Sequence, residues 1–270
     1  MKMKIGIAGW LFLAVALLPV VARADALGSA DNCAVLSTST VTNVPSATDS
    51  SVITGGLCLS PGTSITGFPP GIVNGTTHQT DAVAALALFD AQAAFSALMA
   101  LPATTSFIVP TDLGGMVLTP GVFHFSSSVG ITGPLTLNFQ GLSNLNFVFQ
   151  IGSTLTTGSS SSVTVINPGT NDNIYWVVGS SATLGTGTSF VGNILANGSI
   201  TLNNDANINC GSALALNGAV TMDDNNINSC SSSTTGGGGT GGTTPEPSSL
   251  LLLGTGLIGC AGILRRKMLR

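Results

Sequence analysis

The chain has 270 residues, of which only 7% are charged, and its formal net charge at pH 7 is −4. The seven basic residues all lie at the two ends: Lys2, Lys4, Arg23, Arg265, Arg266, Lys267 and Arg270. Because residues 24–264 carry no ammonium or guanidinium group, this portion cannot neutralise phosphates, which argues against nucleic acid, nucleotide and anionic-lipid partners. Basic residues beside short apolar runs are typical of secretion signals, so both ends of the chain are predicted to be targeting signals.

The N-terminal segment, 1–24, has the pattern of a secretory signal peptide. Lys2 and Lys4 precede an apolar run over 5–21, and Ala22-Arg23-Ala24 is a small-x-small cleavage site. Cleavage after Ala24 predicts a mature chain that begins at Asp25; the alternative is that the run is retained as a membrane anchor. Export would place the rest of the chain in an oxidising compartment.

Four cysteines lie in the predicted exported portion, where four thiols allow three disulfide pairings. We favour Cys33 with Cys58 and Cys210 with Cys230, because the members of each pair are close in sequence. A metal site is the alternative, but the sequence has no Cys-x-x-Cys pair, and His78 and His124 lie far from the cysteines along the chain. We therefore predict no metal and no other cofactor.

Residues 80–101 form the one segment without strand alternation. They are rich in Ala and Leu, Thr80 or Asp81 is placed to cap the start, and Pro102 ends the segment. This pattern predicts a helix of about 20 residues, ~30 Å long. Six stacked strands at ~4.8 Å spacing have nearly that length, so we expect the helix to lie along a stack of strands, with Asp90 and Gln92 facing water.

The remaining domain, 25–230, predicts many short strands. Apolar and polar residues alternate between Gly and Asn turns over 135–139, 145–151, 163–165 and 200–202. Thr followed by Leu or Met recurs at Thr136, Thr154, Thr183, Thr201 and Thr221. Except for the longer step from Thr154 to Thr183, the intervals are about 18–20 residues, which suits one coil of a parallel β-solenoid. The longer step predicts an insertion near 167–173, and the same period stacks Cys210 on Cys230. A β-sandwich is the alternative fold.

The C-terminal segment, 231–270, predicts a tether followed by a sorting signal. Residues 231–244 contain only Ser, Thr and Gly, as flexible linkers do. Residues 245–270 contain Pro245-Glu246-Pro247, an apolar run over 250–264 and a basic tail, and they resemble the PEP-CTERM signal of Gram-negative, exopolysaccharide-making bacteria. The resemblance implies processing by an exosortase and delivery to the cell surface or extracellular matrix. A 15-residue helix reaches only ~22 Å, which suits transient membrane contact.

Several stretches of the domain together resemble the ice-binding-like proteins of bacteria, fungi and diatoms. They are GFPPGIV (67–73), HQTDAVAA (78–85), LGGMVLTPGVF (113–123), FVFQIGSTLTT (147–157) and VVGSSATLGTGTSFVG (177–192). The likeness runs over about 34–227. It implies an all-β fold with one long helix: a discontinuous right-handed parallel β-solenoid of triangular cross-section with the helix alongside.

The resemblance also implies a flat face that adsorbs to ice through a Thr, Ala-or-Gly, any, Thr-or-Asn pattern. Matching tetrads occupy 157–160, 186–189 and 204–207, and a shortened one occupies 224–226. The candidate ice-binding residues are Thr157, Ser160, Thr186, Thr188, Ser189, Asn204 and Asn207. Asp205, Asp223 and Asp224 are expected to bring carboxylates to or near this face, which would weaken antifreeze activity.

Other chemistry lacks the residues it needs. His78 and His124 have no matching nucleophile, and Glu246, the only Glu, lies in the predicted tail, so we predict no enzyme. The Asn and Asp residues near 203–207 and 223–225 do not form a complete Ca²⁺ loop. The alternative function is a structural or adhesive matrix protein without ice activity, which binds exopolysaccharide or nothing specific; exposed Tyr175 or Trp176 would favour sugar binding.

Overall fold

A computed structural model describes residues 26–44, 50–107 and 110–230, which coil through three parallel β-sheets. A short 3-10 helix, η1 (Gly28–Asn32), precedes the first strand. The predicted signal peptide, linker and sorting signal lie outside the described residues. The three sheets confirm the predicted three-sided solenoid and rule out the β-sandwich.

Sheet A has nine strands, in spatial order β7 (Thr77–Gln79), β4 (Gly56–Leu59), β1 (Cys33–Ser37), β23 (Ala213–Ala215), β20 (Asn193–Ala196), β17 (Asn173–Val178), β14 (Asn146–Ile151), β11 (Gly121–Phe125) and β8 (Thr105–Phe107). Sheet B has eight strands, in order β5 (Ser64–Thr66), β2 (Thr40–Val44), β24 (Val220–Asp223), β21 (Ile200–Leu202), β18 (Ala182–Leu184), β15 (Leu155–Thr157), β12 (Val129–Ile131) and β9 (Thr111–Asp112). Sheet C also has eight, in order β10 (Val117–Leu118), β13 (Pro134–Asn138), β16 (Ser162–Ile166), β19 (Ser189–Val191), β22 (Asn207–Cys210), β25 (Asn226–Asn228), β3 (Val52–Thr54) and β6 (Ile72–Asn74).

The order of the coils is discontinuous along the chain. Strand β1 pairs with β23 on one side and with β4 on the other, so Leu36 lies between Leu214 and Cys58. The N-terminal coils therefore extend the stack beyond the C-terminal coil. The helix α1 (Ala82–Met99) follows β7 and leads to β8, the strand at the opposite edge of sheet A.

The interior is filled by side chains that stack from coil to coil. Parallel pairing in register places Phe123, Phe149 and Trp176 side by side on β11, β14 and β17. The rings of Phe149 and Trp176 are nearly parallel, with centroids 3.9 Å apart, and Phe123 stacks on Phe149 at 5.3 Å. Dense stacking of this kind makes each coil a rigid platform for the next.

Helix α1 covers the outer face of sheet A, as predicted. Asp81, one of the two predicted caps, accepts a hydrogen bond from the Ala84 N–H at 2.8 Å. Its buried residues recur at helical spacing and are small enough for close approach: Ala84, Ala87, Ala91, Ala94 and Leu98. At the other end, the buried Gln150 side chain donates to the Leu98 and Leu101 carbonyls at 2.8 and 2.9 Å.

Asp90 was expected to face water, but its carboxylate is hydrogen-bonded to Ser29. Gln92 is exposed, but Asp90 is only half-exposed. Its carboxylate accepts hydrogen bonds from the Ser29 hydroxyl and N–H at 2.5 and 2.9 Å, which ties η1 to α1.

Both predicted disulfides are present. Cys33–Cys58 joins β1 to β4, and Cys210–Cys230 joins neighbouring coils, with Cα atoms 5.9 and 4.9 Å apart. Each bond therefore locks one coil onto the next.

The predicted threonine repeat is correct for three of its five positions. Thr183, Thr201 and Thr221 pair in register in consecutive coils of sheet B. Thr136 lies in sheet C opposite Thr164, and Thr154 precedes β15. Thr136 and Thr154 do not follow the repeat, because the long connections 139–145 and 167–172 change the length of their coils. The second of these connections lies where the sequence predicted an insertion, near 167–173.

Candidate functional site

The outer face of sheet B carries a straight row of threonines. In the central coils, strand alternation buries the two neighbours of the middle residue, as Ile200 and Leu202 are buried beside Thr201, and turns the middle side chain outward. Six outward residues in adjacent coils form what we call the threonine column: Thr66, Thr42, Thr221, Thr201, Thr183 and Thr156. The column spans both the N-terminal and the C-terminal coils.

The hydroxyls of this column are available to solvent water. Neighbouring strands place successive threonines about 4.8 Å apart. In the described part of the chain, the only hydrogen bond within the column joins Thr66 Oγ1 to Thr42 Oγ1, at a long 3.4 Å. Because threonine is stiff at χ1, each position offers one methyl and one hydroxyl in a fixed direction.

The row on the sheet A side of the column is small and uncharged, and the row on the sheet C side is smallest beside Thr183 and Thr156. On the sheet A side, Ser199 Oγ accepts from the Ala219 N–H at 3.1 Å, and Ser181 Oγ accepts from the Ser199 N–H at 3.2 Å. On the sheet C side, the residues two positions beyond Thr183 and Thr156 are Gly185 and Gly158. Beside Thr201 and Thr221 the same positions are Asn203 and Asp223, so the face is flattest at Thr183 and Thr156.

Asp112 marks the charged end of the face. Beyond Thr156 the row continues through Gly130 to Asp112. The Asp112 carboxylate accepts hydrogen bonds from the Thr132 hydroxyl and from the N–H groups of Gly114 and Thr132. The Thr132 hydroxyl first, and then the two N–H groups, lower the pKa of Asp112, so this end is anionic at neutral pH.

The predicted tetrads do not lie on this face but at the corner where sheet B turns into sheet C. Thr157 and Thr188 are 3% and 1% exposed, and their Oγ1 atoms are 2.7 Å apart. Thr157 also accepts from the Gly185 N–H at 2.8 Å. The expectation that these two hydroxyls contact ice is wrong, because Thr157 is in line with the buried Ile131 and both hydroxyls are hydrogen-bonded within the corner.

The other five candidates are divided between the corner and sheet C. Ser160 and Thr186 are exposed at the corner, and Asn204 donates to Asp224 there at 3.2 Å. Ser189 and Asn207 begin β19 and β22, where they pair in register on sheet C. The seven candidates therefore do not form a single surface.

The acidic residues of the later coils lie off the threonine column. Asp205 and Asp224 have φ of 58° and 53°, in line with Ser160 and Gly187 at 57° and 67°. This left-handed conformation turns the corner and favours Gly, Asn and Asp over other residues. Asp205 is exposed at the corner, Asp224 is buried, and Asp223 lies half-buried at the edge of sheet B.

Thr156, Thr42 and Thr66 were missed as site residues. Thr183, Thr201 and Thr221 were found as a repeat but were not assigned to the site. An apolar residue directly precedes each of the six, a signal that the sequence contains. Joining 42 and 66 to the row required the spatial order of the coils.

The histidines and the aromatic residues that the sequence singled out lie in contacts that support the fold. His78 Nδ1 lies 2.8 Å from Asp81 Oδ2 at the start of α1, and His124 is in line with Gln150 on sheet A. Tyr175 and Trp176 are 1% and 0% exposed, so they offer no stacking platform. The described residues contain no cluster of three or more His, Cys, Asp or Glu that could hold a metal ion.

Comparison with known proteins agrees with this architecture. The ice-binding-like family model matches residues 35–228, and the PEP-CTERM protein-sorting motif matches 243–267. An ice-binding protein of Nostoc sp. (strain HG1) is 50% identical over 242 residues, which cover 89% of this chain and 87% of the relative.

Two crystal structures share the fold. The ice-binding protein of the Antarctic ascomycete Antarctomyces psychrotrophicus has a TM-score of 0.69 and 38% identity, over 75% of this chain and 96% of its own. An ice-binding protein from an Antarctic biological consortium has a TM-score of 0.68 and 44% identity, over 74% and 89% of the two chains. The sequence motifs, the discontinuous solenoid and these relatives together show that this chain belongs to the ice-binding-like family.

Proposed function

We propose that this protein is an exported, non-catalytic ice-binding protein that adsorbs to ice through the outer face of sheet B. The observation that carries the proposal is the threonine column, a row of six outward threonines in register on a face that the helix does not cover. Homologues named for ice binding, including one at 50% identity, support it.

The column suits ice because it can order water without holding it in the wrong geometry. Each hydroxyl donates and accepts hydrogen bonds, while the methyl group beside it favours a cage of ordered water. A carboxylate hydrates more strongly and would impose its own water geometry; the face carries Asp112 at one end and Asp223 at one edge. Adsorption by many weak, regularly spaced contacts requires rigidity, which the stacked core and the two disulfides supply.

Targeting to the cell exterior accompanies this role. The sorting motif at 243–267 suggests export from a Gram-negative cell. We further propose that residues 1–24 are removed as a signal peptide, that an exosortase processes the C-terminal segment, and that the membrane is contacted only through that segment. The processed domain would then lie at the cell surface or in the extracellular matrix.

Ice-affinity partitioning together with a recrystallisation assay tests the function. The wild-type chain is expected to concentrate in a slowly grown ice fraction. Thr183→Tyr, which places a bulky ring on the column, should weaken ice activity about tenfold, the equivalent of ~1.4 kcal/mol of binding free energy. Thr186→Tyr, at the exposed corner of the same coil, is the matched control and should retain wild-type activity. A wild-type chain that stays in the liquid would overturn the proposal.

A further inference from the structure

A groove lies on sheet C, where the coils change in length. The connections from sheet C to sheet A span 139–145 and 167–172 in two coils, but the next coil turns on Gly192 alone. Gly192 has φ of 111°, and a Cβ there would come within 2.7 Å of Ile174 Cγ2 and Trp176 Nε1, so this turn is held tight. The long connection therefore projects past its neighbour and leaves a step in the sheet.

Strand pairing widens the same step. Strands β16 and β19 are in register only at Ser162 and Ser189. Beyond that pair, Val163 and Val165 lie on one side and Val191 on the other, bordering a groove of about 570 Å³. This volume is within the range of ~300–1,000 Å³ that holds small-molecule ligands in proteins.

The groove combines an apolar floor with a polar, uncharged rim. Val165 and Val191, both half-buried, contribute the accessible apolar lining, while Val163 and Ile174 are only 2% and 7% exposed. Thr164 and Asn209 are exposed polar residues of the lining. The amide nitrogen of Asn209 donates to Ser189 Oγ at 2.7 Å, a bond that does not use the amide oxygen of Asn209. The lining thus offers both van der Waals surface and hydrogen-bonding groups.

The single charge in the lining of the groove, on Asp172, disfavours anionic ligands. Asp172 is the only ionisable side chain in its lining apart from disulfide-bonded Cys210. Its two carboxylate oxygens accept the Leu145 N–H at 3.0 Å and the Gly169 N–H at 2.6 Å, so it holds the two long connections in place. An anion would meet Asp172 and no cation, and a cation would have to compete with these two backbone N–H groups.

We propose that this groove binds a pyranose ring of a neutral glycan. A pyranose has an apolar C–H face and a hydroxyl edge, which match the valine floor and the Thr164, Ser189 and Asn209 rim. The site lies on sheet C, separate from the threonine column of sheet B, so glycan and ice contacts do not exclude each other. With Tyr175 and Trp176 buried, the sugar rests on aliphatic side chains.

Affinity electrophoresis tests the proposal. The purified chain is run through gels that contain dextran or galactomannan as neutral glycans, or alginate as an anionic one, and free methyl glucoside and methyl mannoside are added as competitors. The neutral gels should retard the wild-type chain and alginate should not. Competition by the free sugar would show that a single ring is sufficient, whereas retardation without competition would assign binding to the polymer chain.

Thr164→Trp, which fills the groove, and Asn209→Ala, which removes the amide, should each weaken retardation about fivefold or more. Thr136→Trp is the matched control, because Thr136 pairs in register with Thr164 on the same sheet outside the groove. All three variants should keep wild-type ice activity, and Thr183→Tyr should keep glycan binding. Absence of retardation in both neutral gels, or equal retardation of Thr164→Trp and wild type, overturns the glycan proposal and leaves the ice proposal standing.

Discussion

The threonine column and the corner between sheets B and C contain the same residue types, yet their hydroxyls have opposite fates. On the column, Thr201 and Thr183 face outward and make no side-chain hydrogen bond within the described residues. At the corner, Thr157 and Thr188 are buried and bonded to each other. In a solenoid, therefore, the position of a threonine within its coil, rather than its local motif, decides whether its hydroxyl contacts water or supports the backbone.

The largest loss of ice activity is expected from a double substitution on the threonine column. Combining Thr183→Tyr with Thr201→Tyr should lower ice activity about a hundredfold, the equivalent of ~2.7 kcal/mol, because two adjacent contacts of the column are lost. Recrystallisation inhibition measured against protein concentration checks this. The melting temperature should change little, since both side chains point outward. An activity within threefold of wild type would mean that ice is bound elsewhere.

A substitution at the corner, in contrast, is expected to lower thermal stability rather than ice activity. Thr157→Val keeps the shape of the side chain but leaves the Gly185 N–H without its buried acceptor and the Thr188 hydroxyl with only the Gly158 carbonyl at 3.3 Å, at a cost of ~1–3 kcal/mol. Thermal unfolding followed by circular dichroism should show a lower midpoint, by about 2–4 °C per kcal/mol for a domain of this size. Below the melting range, ice activity should remain that of wild type. Loss of ice activity in the folded variant would place the corner in the binding surface after all.

The smallest effect concerns the charged end of the column. The pKa of Asp112 is lowered by the Thr132 hydroxyl and the two N–H groups, so its stabilising contribution is complete above the unfolded-chain pKa of ~3.9. That contribution is lost as the pH falls through the lower folded pKa. Asp112→Asn should therefore reduce the acid-dependent loss of stability below about pH 4 and leave ice activity at neutral pH unchanged or slightly higher.

Melting curves of Asp112→Asn and wild type, recorded from neutral pH down to about pH 2, measure this difference. A fall in ice activity for Asp112→Asn would show that the carboxylate belongs to the ice-binding surface rather than limiting it.

Much of the fold was predictable, because its signals are local. Alternation over a few residues predicts strands, and an Ala-rich run between Asp81 and Pro102 predicts the helix. The disulfide pairing followed from short sequence separations, of which that between Cys210 and Cys230 also matches one coil. None of these inferences needed the spatial order of the coils.

The site was predicted less well, because it depends on that order. Thr42 and Thr66 lie far from Thr221 along the chain, yet the N-terminal coils are stacked beside it. The tetrad motif selected Thr157 and Thr188, which are buried in the corner turn. The composition of the motif does not indicate that burial. A preceding apolar residue separates the column threonines from Thr157 and Thr188, but the pairing register is needed to join the six into one row.

The most direct test of the threonine column compares Thr201→Tyr with Thr136→Tyr by ice-affinity partitioning. Both threonines are half-exposed strand residues in neighbouring sheets, so the two variants carry the same change on different faces. Thr201→Tyr is expected to remain largely in the liquid, whereas Thr136→Tyr should partition into ice like wild type. Equal partitioning of the two variants, or the reverse order, would contradict this expectation.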